Sequence, residues 1–254
     1  MMMPIGMVLA LVFMLGSNVM EGGNPMALFA VPSIILVFGG TLAATATAFT
    51  VGEVMRMPKL AIRGFGKPME LNSTITQLCE LAEVARKDGA LALESRMAEV
   101  TDPFLRHGLT LLVDGADEHR IQEEMEASLA ATADRHQRNI SIWTKAAGYS
   151  PIFGLMGTTM GLINMLGHLD KPDEIGHSLA VAMTATLYGL VSSNVMFTPI
   201  GDKLTRLHES EMLAKEMMID GVCSILHGFS SRAMTERLEV WLQPAERGSA
   251  KKAA

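Results

Sequence analysis

The sequence predicts an all-α integral membrane protein with four transmembrane helices and a helical cytoplasmic domain. Three observations carry that prediction. Charged residues make up 19% of the chain, yet no Asp, Glu, Lys or Arg falls within Met1–Met20, Gly22–Gly52, Ala146–Leu169 or Ile175–Gly201. About 20 apolar helical residues cross a hydrocarbon core of about 30 Å, and each stretch reaches or approaches that length. Between the second and third stretches, apolar residues recur at helical spacing among charged ones. Lys and Arg are also distributed one-sidedly: twelve of the 21 lie between positions 53 and 145, eight follow Gly201, and the two short connections hold only Lys171. By the positive-inside rule the large segment and both termini are cytoplasmic and the short connections face outward.

Met1–Met20 reads as a mature first span. It lacks a positively charged start and an A-x-A cleavage site, and Glu21-Gly22-Gly23-Asn24-Pro25 is a tight turn into a second apolar helix. That second span begins near Met26. It contains Pro32, which is expected to kink it, and ends in a Thr- and Ala-rich run before Glu53. Glu53, Arg56, Lys59, Arg63 and Lys67 mark the return to water. From Asn72, the spacing of Ile75, Leu78, Ala82 and Ala85 predicts a helix that stops at Asp88-Gly89. A short helix over Ala90–Val100 follows. Asp102-Pro103 then opens another, an N-cap followed by proline at the first helical position, which runs through Leu105, Leu109 and Leu112 to Asp114-Gly115. Asp117 caps a long helix with Ile121, Met125 and Leu129 on one face. Neither Gly nor Pro interrupts it before Gly148, so it is expected to feed directly into the third span.

Within the third span, Tyr149–Leu166 opens near Pro151 and carries Gly154, Gly157 and Gly161 around Thr158. Small residues let helix backbones approach closely in lipid, where no hydrophobic effect drives association. An acidic connection with Asp170, Lys171, Asp173 and Glu174 leads to the fourth span, Leu179–Ile200, which holds Thr184, Thr186, Tyr188, Gly189, Ser192, Ser193 and Asn194 and closes on Pro199. The expected division is a hairpin of spans over 1–52, a cytoplasmic domain over 53–145, a second hairpin over 146–201 and an amphipathic tail over 202–254, disordered from Gly248. Cys79 and Cys223 are far apart and outside any C-x-x-C, so they read as buried thiols. The chain has no P-loop, GxGxxG, metal-spaced His cluster or G-x-S-x-G elbow. Neither an enzyme, a bound cofactor nor a nucleic-acid partner is expected. The methionines read as adaptable packing.

Ion carriers normally place an ionisable group at membrane depth. These four stretches offer hydroxyls instead. Pro151, Gly154, Thr158 and Gly161 share one helical face, and Ala182, Thr186, Gly189 and Ser193 share another. Taken singly, each hydroxyl is explained by bonding back to its own helix, and the glycines by packing. Taken together, they form a polar lining that awaits a carboxylate from a partner.

The chain resembles the MotA/PomA family, the A subunits of bacterial flagellar stators. The motifs are PIFGLMGTTMGLINML at 151–166, DKPDEIG at 170–176, AVAMTATLYG at 180–189, SNVMFTPIGDKL at 193–204 and ARKDGALALE at 85–94. The resemblance implies a multi-pass inner-membrane protein forming a ring of five A subunits around two MotB/PomB-type B subunits. Each B subunit would bring one transmembrane Asp, and ion flow would drive the ring against the rotor protein FliG. It further implies that Pro151 and Pro199 couple ion flow to movement and that Thr158 and Thr186 flank the partner Asp. Arg86, Lys87 and Glu94 would contact the rotor. Without the resemblance, those three charges read as a solvated helix face. Ser95 and Met97 stand where some sodium-type relatives carry additional Glu, and Ser150 where others have Ala. The transported cation is H⁺ or Na⁺. A hydroxyl at position 158 permits sodium without requiring it, and the reading leans to sodium. Two alternatives are an ExbB/TolQ-type energiser, expected to have three spans and an external N-terminus, and a non-conducting membrane scaffold.

Overall fold

A computed structural model describes residues 2–170, 172–244 and 247, those at 172–174 by backbone alone. Lys171, the Asp173 and Glu174 side chains, and the tail from Gly248 therefore lie outside the described residues. Every regular element described is helical: α1 (Met2–Met20), α2 (Val31–Ala48), α3 (Val51–Val54), α4 (Met57–Arg63), α5 (Leu71–Asp88), α6 (Pro103–Val113), α7 (Glu118–Leu166), α8 (Pro172–Val191), α9 (Thr198–Leu226) and α10 (Ser231–Leu238), with short 3₁₀ and π turns between and within them. Two compact units result, one of residues 1–66 with 137–205, the other of 67–136 with 206–254.

In the first unit α1 buries none of its residues, and Phe13 is 72% exposed. Such a surface suits lipid and not water. Pro32 occupies the first turn of α2, where its missing N–H would have had no intrahelical partner, and a π turn follows at Ile35–Gly39. Beyond α2, Glu53 reaches back to the Thr50 N–H at 2.9 Å and accepts from its hydroxyl at 2.8 Å, and these two bonds hold the Glu53 carboxyl below its ordinary range. A small core of Met57, Ile142, Trp143, Ala146, Phe197 and Ile200 lies in the same unit.

Three helices are long and apolar enough to cross a membrane among the described residues: Met2–Met20, Val31–Ala48 and Ile175–Leu226. The last portion of α7 is not one of them, because Gly154, Gly157, Thr158, Thr159, Gly161 and Asn164 dilute its hydropathy. The helix is uninterrupted from Glu118 to Leu166: it feeds through the breaker-free run before Gly148, as expected, and continues past Pro151. The helix that carries the fourth stretch continues past Pro199. A π turn at Ser192–Phe197 precedes the proline, Pro199 falls in the first turn of α9, and the helix runs on to Leu226.

In the second unit the predicted signals appear as drawn. Asp102 Oδ1 accepts from the N–H groups of Phe104 and Leu105, and Asp117 Oδ1 accepts from Arg120 N–H at 2.8 Å. Ile75, Leu78, Leu105, Leu109, Ile121 and Met125 are buried together with Met217, Val222, Met234 and Leu238 from beyond position 202. The C-terminal residues thus complete the core that residues 67–136 begin. Cys79 and Cys223 are both buried and free, and burial pushes the Cys223 thiol up.

Candidate functional site

The site is the seam between the end of α7 and α8. Its closeness follows from glycine. A Cβ at Gly154 would stand 3.0 Å from the Ala185 carbonyl oxygen and 3.1 Å from the Gly189 Cα, and one at Gly161 would stand 2.5 Å from the Ala182 Cβ. At Gly189 it would meet the Ser150 carbonyl oxygen at 2.8 Å. Backbone therefore touches backbone here, as small-residue seams in lipid allow.

That contact brings Thr158 and Thr186 together across the seam, and their hydroxyls share a hydrogen bond. Thr158 Oγ1 also lies 3.2 Å from the Gly154 carbonyl oxygen and 3.3 Å from that of Ala182, while Thr186 Oγ1 lies 3.4 Å from Gly154 O. Both side chains are half-buried. Thr184 bonds back to its parent helix, donating to Ala180 O at 2.8 Å, and Thr158 reaches its own helix at Gly154 O, but the Thr158 contacts to Thr186 and to Ala182 O cross the seam. Two hydroxyl and two carbonyl oxygens converge. A hydroxyl that donates to a carbonyl keeps lone pairs free, so the cluster can take a cation or order water.

Pro151 lies inside α7. Its nitrogen carries no hydrogen, so the Ala147 carbonyl loses its partner within the helix. Ser193 Oγ, from the π turn, donates to that oxygen at 2.8 Å. Pro199 stands at the far end of the same π turn, which is a frequent feature of functional helices. Sequence reasoning left Ser150 without a role. It is fully buried, donates to Gly189 O at 3.2 Å and lies 2.5 Å from Ser192 Oγ. Tyr188 donates its hydroxyl to Leu28 O at 2.5 Å, and Ser33 donates to Val181 O at 3.1 Å, tying α8 to the start of α2. A signal for Ser193 existed in the chain, since each proline inside a helix implies an unpaired carbonyl four residues back; its donor was not deducible from spacing.

Arg86, Lys87 and Glu94 belong to the second unit. Arg86 and Lys87 occupy the last turn of α5, and Glu94 lies in the 3₁₀ turn Ala90–Arg96; all three are exposed. Lys87 Nζ lies 3.5 Å from Glu83 of its own helix, a solvent-exposed pair that contributes little to stability. Arg96 makes a closer pair with Glu99 at 2.8 Å. Among the described residues, no group of three or more His, Cys, Asp or Glu could hold a metal ion.

Residues 96–217 match the model of the MotA/TolQ/ExbB proton channel family. Motility protein A of Bacillus subtilis is 35% identical over 96% of this chain and 91% of its own length. Chemotaxis protein PomA of Vibrio alginolyticus is 34% identical over 89% of each. Among solved structures, the flagellar MotAB stator complex from Bacillus subtilis contains a chain that superposes with a TM-score of 0.90 at 34% identity, covering 97% of this chain and 98% of that one. C. jejuni MotAB gives the same TM-score at 29% identity, over 95% of both.

Proposed function

The chain belongs to the MotA/PomA family, and from that premise we propose how it works as the A subunit of a flagellar motor stator in the bacterial inner membrane. With a B subunit it couples ion flow to torque on the rotor. The B subunit supplies a transmembrane Asp opposite Thr158 and Thr186, because the four uncharged stretches hold no carboxylate of their own. The A subunits form a five-membered ring around two B subunits. The chain spans the membrane four times, with both termini cytoplasmic and α7 delivering the third span.

The observation that carries this mechanism is the convergence of Thr158 Oγ1, Thr186 Oγ1, Gly154 O and Ala182 O at a glycine-lined seam. These oxygens replace part of the hydration shell of a cation that pairs with the partner Asp. Pro151 and Pro199 transmit the resulting change to the helices, since Pro151 removes one rung of the α7 hydrogen-bond ladder and Pro199 follows the π turn at Ser192–Phe197. Exposed Arg86, Lys87 and Glu94 present charge to FliG, which steers docking without holding the fold. The cation is read as sodium on the strength of the Thr158 hydroxyl. The match to a proton channel family favours H⁺ instead, with Thr158 positioning water.

Swimming speed against external sodium separates the two ions and tests the site. Thr158→Ala abolishes sodium-dependent motility while the protein remains in the membrane, and Thr158→Ser, which keeps the oxygen, is far milder. Speed indifferent to sodium refutes the sodium assignment. Motility in a strain lacking every B-type partner overturns the mechanism.

A further inference from the structure

We infer that Ser193 is a positioning residue for Pro151: its hydroxyl supplies, from the neighbouring helix, the hydrogen bond that the proline takes away. The inference rests on reading Pro151 as part of the coupling between ion flow and movement. An α-helix closes each carbonyl with the N–H four residues on. Residue 151 has no N–H to give to Ala147. Ser193 Oγ stands 2.8 Å from the Ala147 carbonyl oxygen, and Ser193 is 6% exposed, so water competes poorly for the same place.

A second hydroxyl of the same segment also reaches a backbone carbonyl outside it: Tyr188 donates to the Leu28 carbonyl at 2.5 Å. Both donors come from the segment formed by α8 and its π turn. Ser150, adjacent to Pro151, is held to the same segment through Gly189 O and Ser192 Oγ.

The consequence is mechanical. A helical N–H moves with its helix, but the Ser193 hydroxyl moves with a different one. The Ala147 carbonyl is therefore satisfied only while α7 and the π turn keep their present register. Sliding or rotation of either releases it without unwinding a turn of helix. Ser193 thereby favours the present register, and Ser193→Ala removes that preference while leaving the Thr158–Thr186 cluster in place.

A double-mutant cycle tests this in the full chain co-purified with its B subunit. Ser193→Ala lowers the thermal unfolding midpoint and raises hydrogen exchange over residues 146–155 about tenfold, the loss expected for an unmade bond to a buried group. In a Pro151→Ala background, where position 151 regains an N–H for Ala147, the same Ser193→Ala change leaves midpoint and exchange nearly unmoved. Ser193→Thr retains the oxygen and restores protection and swimming speed. Equal effects of Ser193→Ala in both backgrounds, or protection unchanged by Ser193→Ala where Pro151 is kept, overturn the inference. A failure of the stator reading shows itself separately: the unsubstituted chain and its partner then support no ion-dependent motility, whatever the cycle gives.

Discussion

Gly189 shows how narrow the tolerance is at single positions. Its missing Cβ leaves room for the Ser150 carbonyl oxygen and the Gly154 Cα, at 2.8 and 2.9 Å from where that Cβ would lie. Both neighbours are backbone, so neither moves aside as a flexible side chain would. Gly189→Ala must therefore push α7 and α8 apart, an overpacking that costs about 1–3 kcal/mol. Separation of the helices also parts Thr158 from Thr186. Gly148, around which nothing lies within 4 Å, is the control. Gly189→Ala is expected to lower the unfolding midpoint of the purified complex and stop swimming, whereas Gly148→Ala changes neither. Equal behaviour of the two variants would show that the seam is not tightly packed.

Where α7 and α9 meet within the second unit, they carry a cluster of titratable groups that the ion path does not use. Lys215, 8% exposed, places Nζ 2.7 Å from Glu211 Oε1 and 5.4 Å over the Phe104 ring. His136 stands edge-on to His208, ring centroids 5.5 Å apart, and 3.9 Å from Glu211. Burial pushes His136 below its ordinary value; Glu211 opposes this, while His208, Lys215 and Arg135 add to it. Burial pushes Glu211 up, but the hydrogen bond and charge of Lys215 outweigh it and leave the carboxyl lowered. The signs then follow from linkage. As pH falls below about 6.5 the unfolded chain takes up a proton that folded His136 resists, so stability falls. Glu211 adds a further loss only as pH drops through its unfolded value of 4.5 and below. The unfolding midpoint should therefore decline between about pH 7.5 and pH 5.5, and His136→Gln should flatten that decline. An identical slope in the variant would remove His136 from the account.

At the scale of the whole molecule, the proposed orientation rests on the one-sided distribution of Lys and Arg, and with it goes the proposal of which surface meets the rotor. Cysteines replacing Gly23 and Glu94, one at a time and in a background lacking Cys79 and Cys223, read that orientation directly. Position 23 is expected to react with an impermeant thiol reagent on whole cells, and position 94 only after the membrane is opened. Labelling of position 94 from outside would exclude both the orientation and the rotor contact. With the orientation secured, Glu94→Lys should weaken torque without disturbing membrane assembly, and a compensating reversal on FliG should restore part of it. Unchanged swimming in Glu94→Lys would leave these charges as a solvated face.

The sequence by itself determined the helical class, the uncharged stretches, the caps at Asp102 and Asp117, and the unbroken run of α7, because each depends on composition or on residues within one turn of one another. Thr158, Thr186 and the glycines were legible as members of two helical faces for the same reason. Only the tertiary structure decided that the faces meet in a register that pairs the two threonine hydroxyls and brings Gly154 onto Gly189. It also placed π turns beside Pro32 and Pro199, which the sequence pattern did not mark. The C-terminal residues looked like a separate tail because amphipathic periodicity shows that a face is buried but not against what; Met217, Val222 and Leu238 bury theirs in the core begun by Ile75 and Leu78. Ser193 and Ser150 were the least legible residues. A hydroxyl's role is fixed by which carbonyl it reaches, and for Ser193 that carbonyl belongs to Ala147, in another helix across the seam.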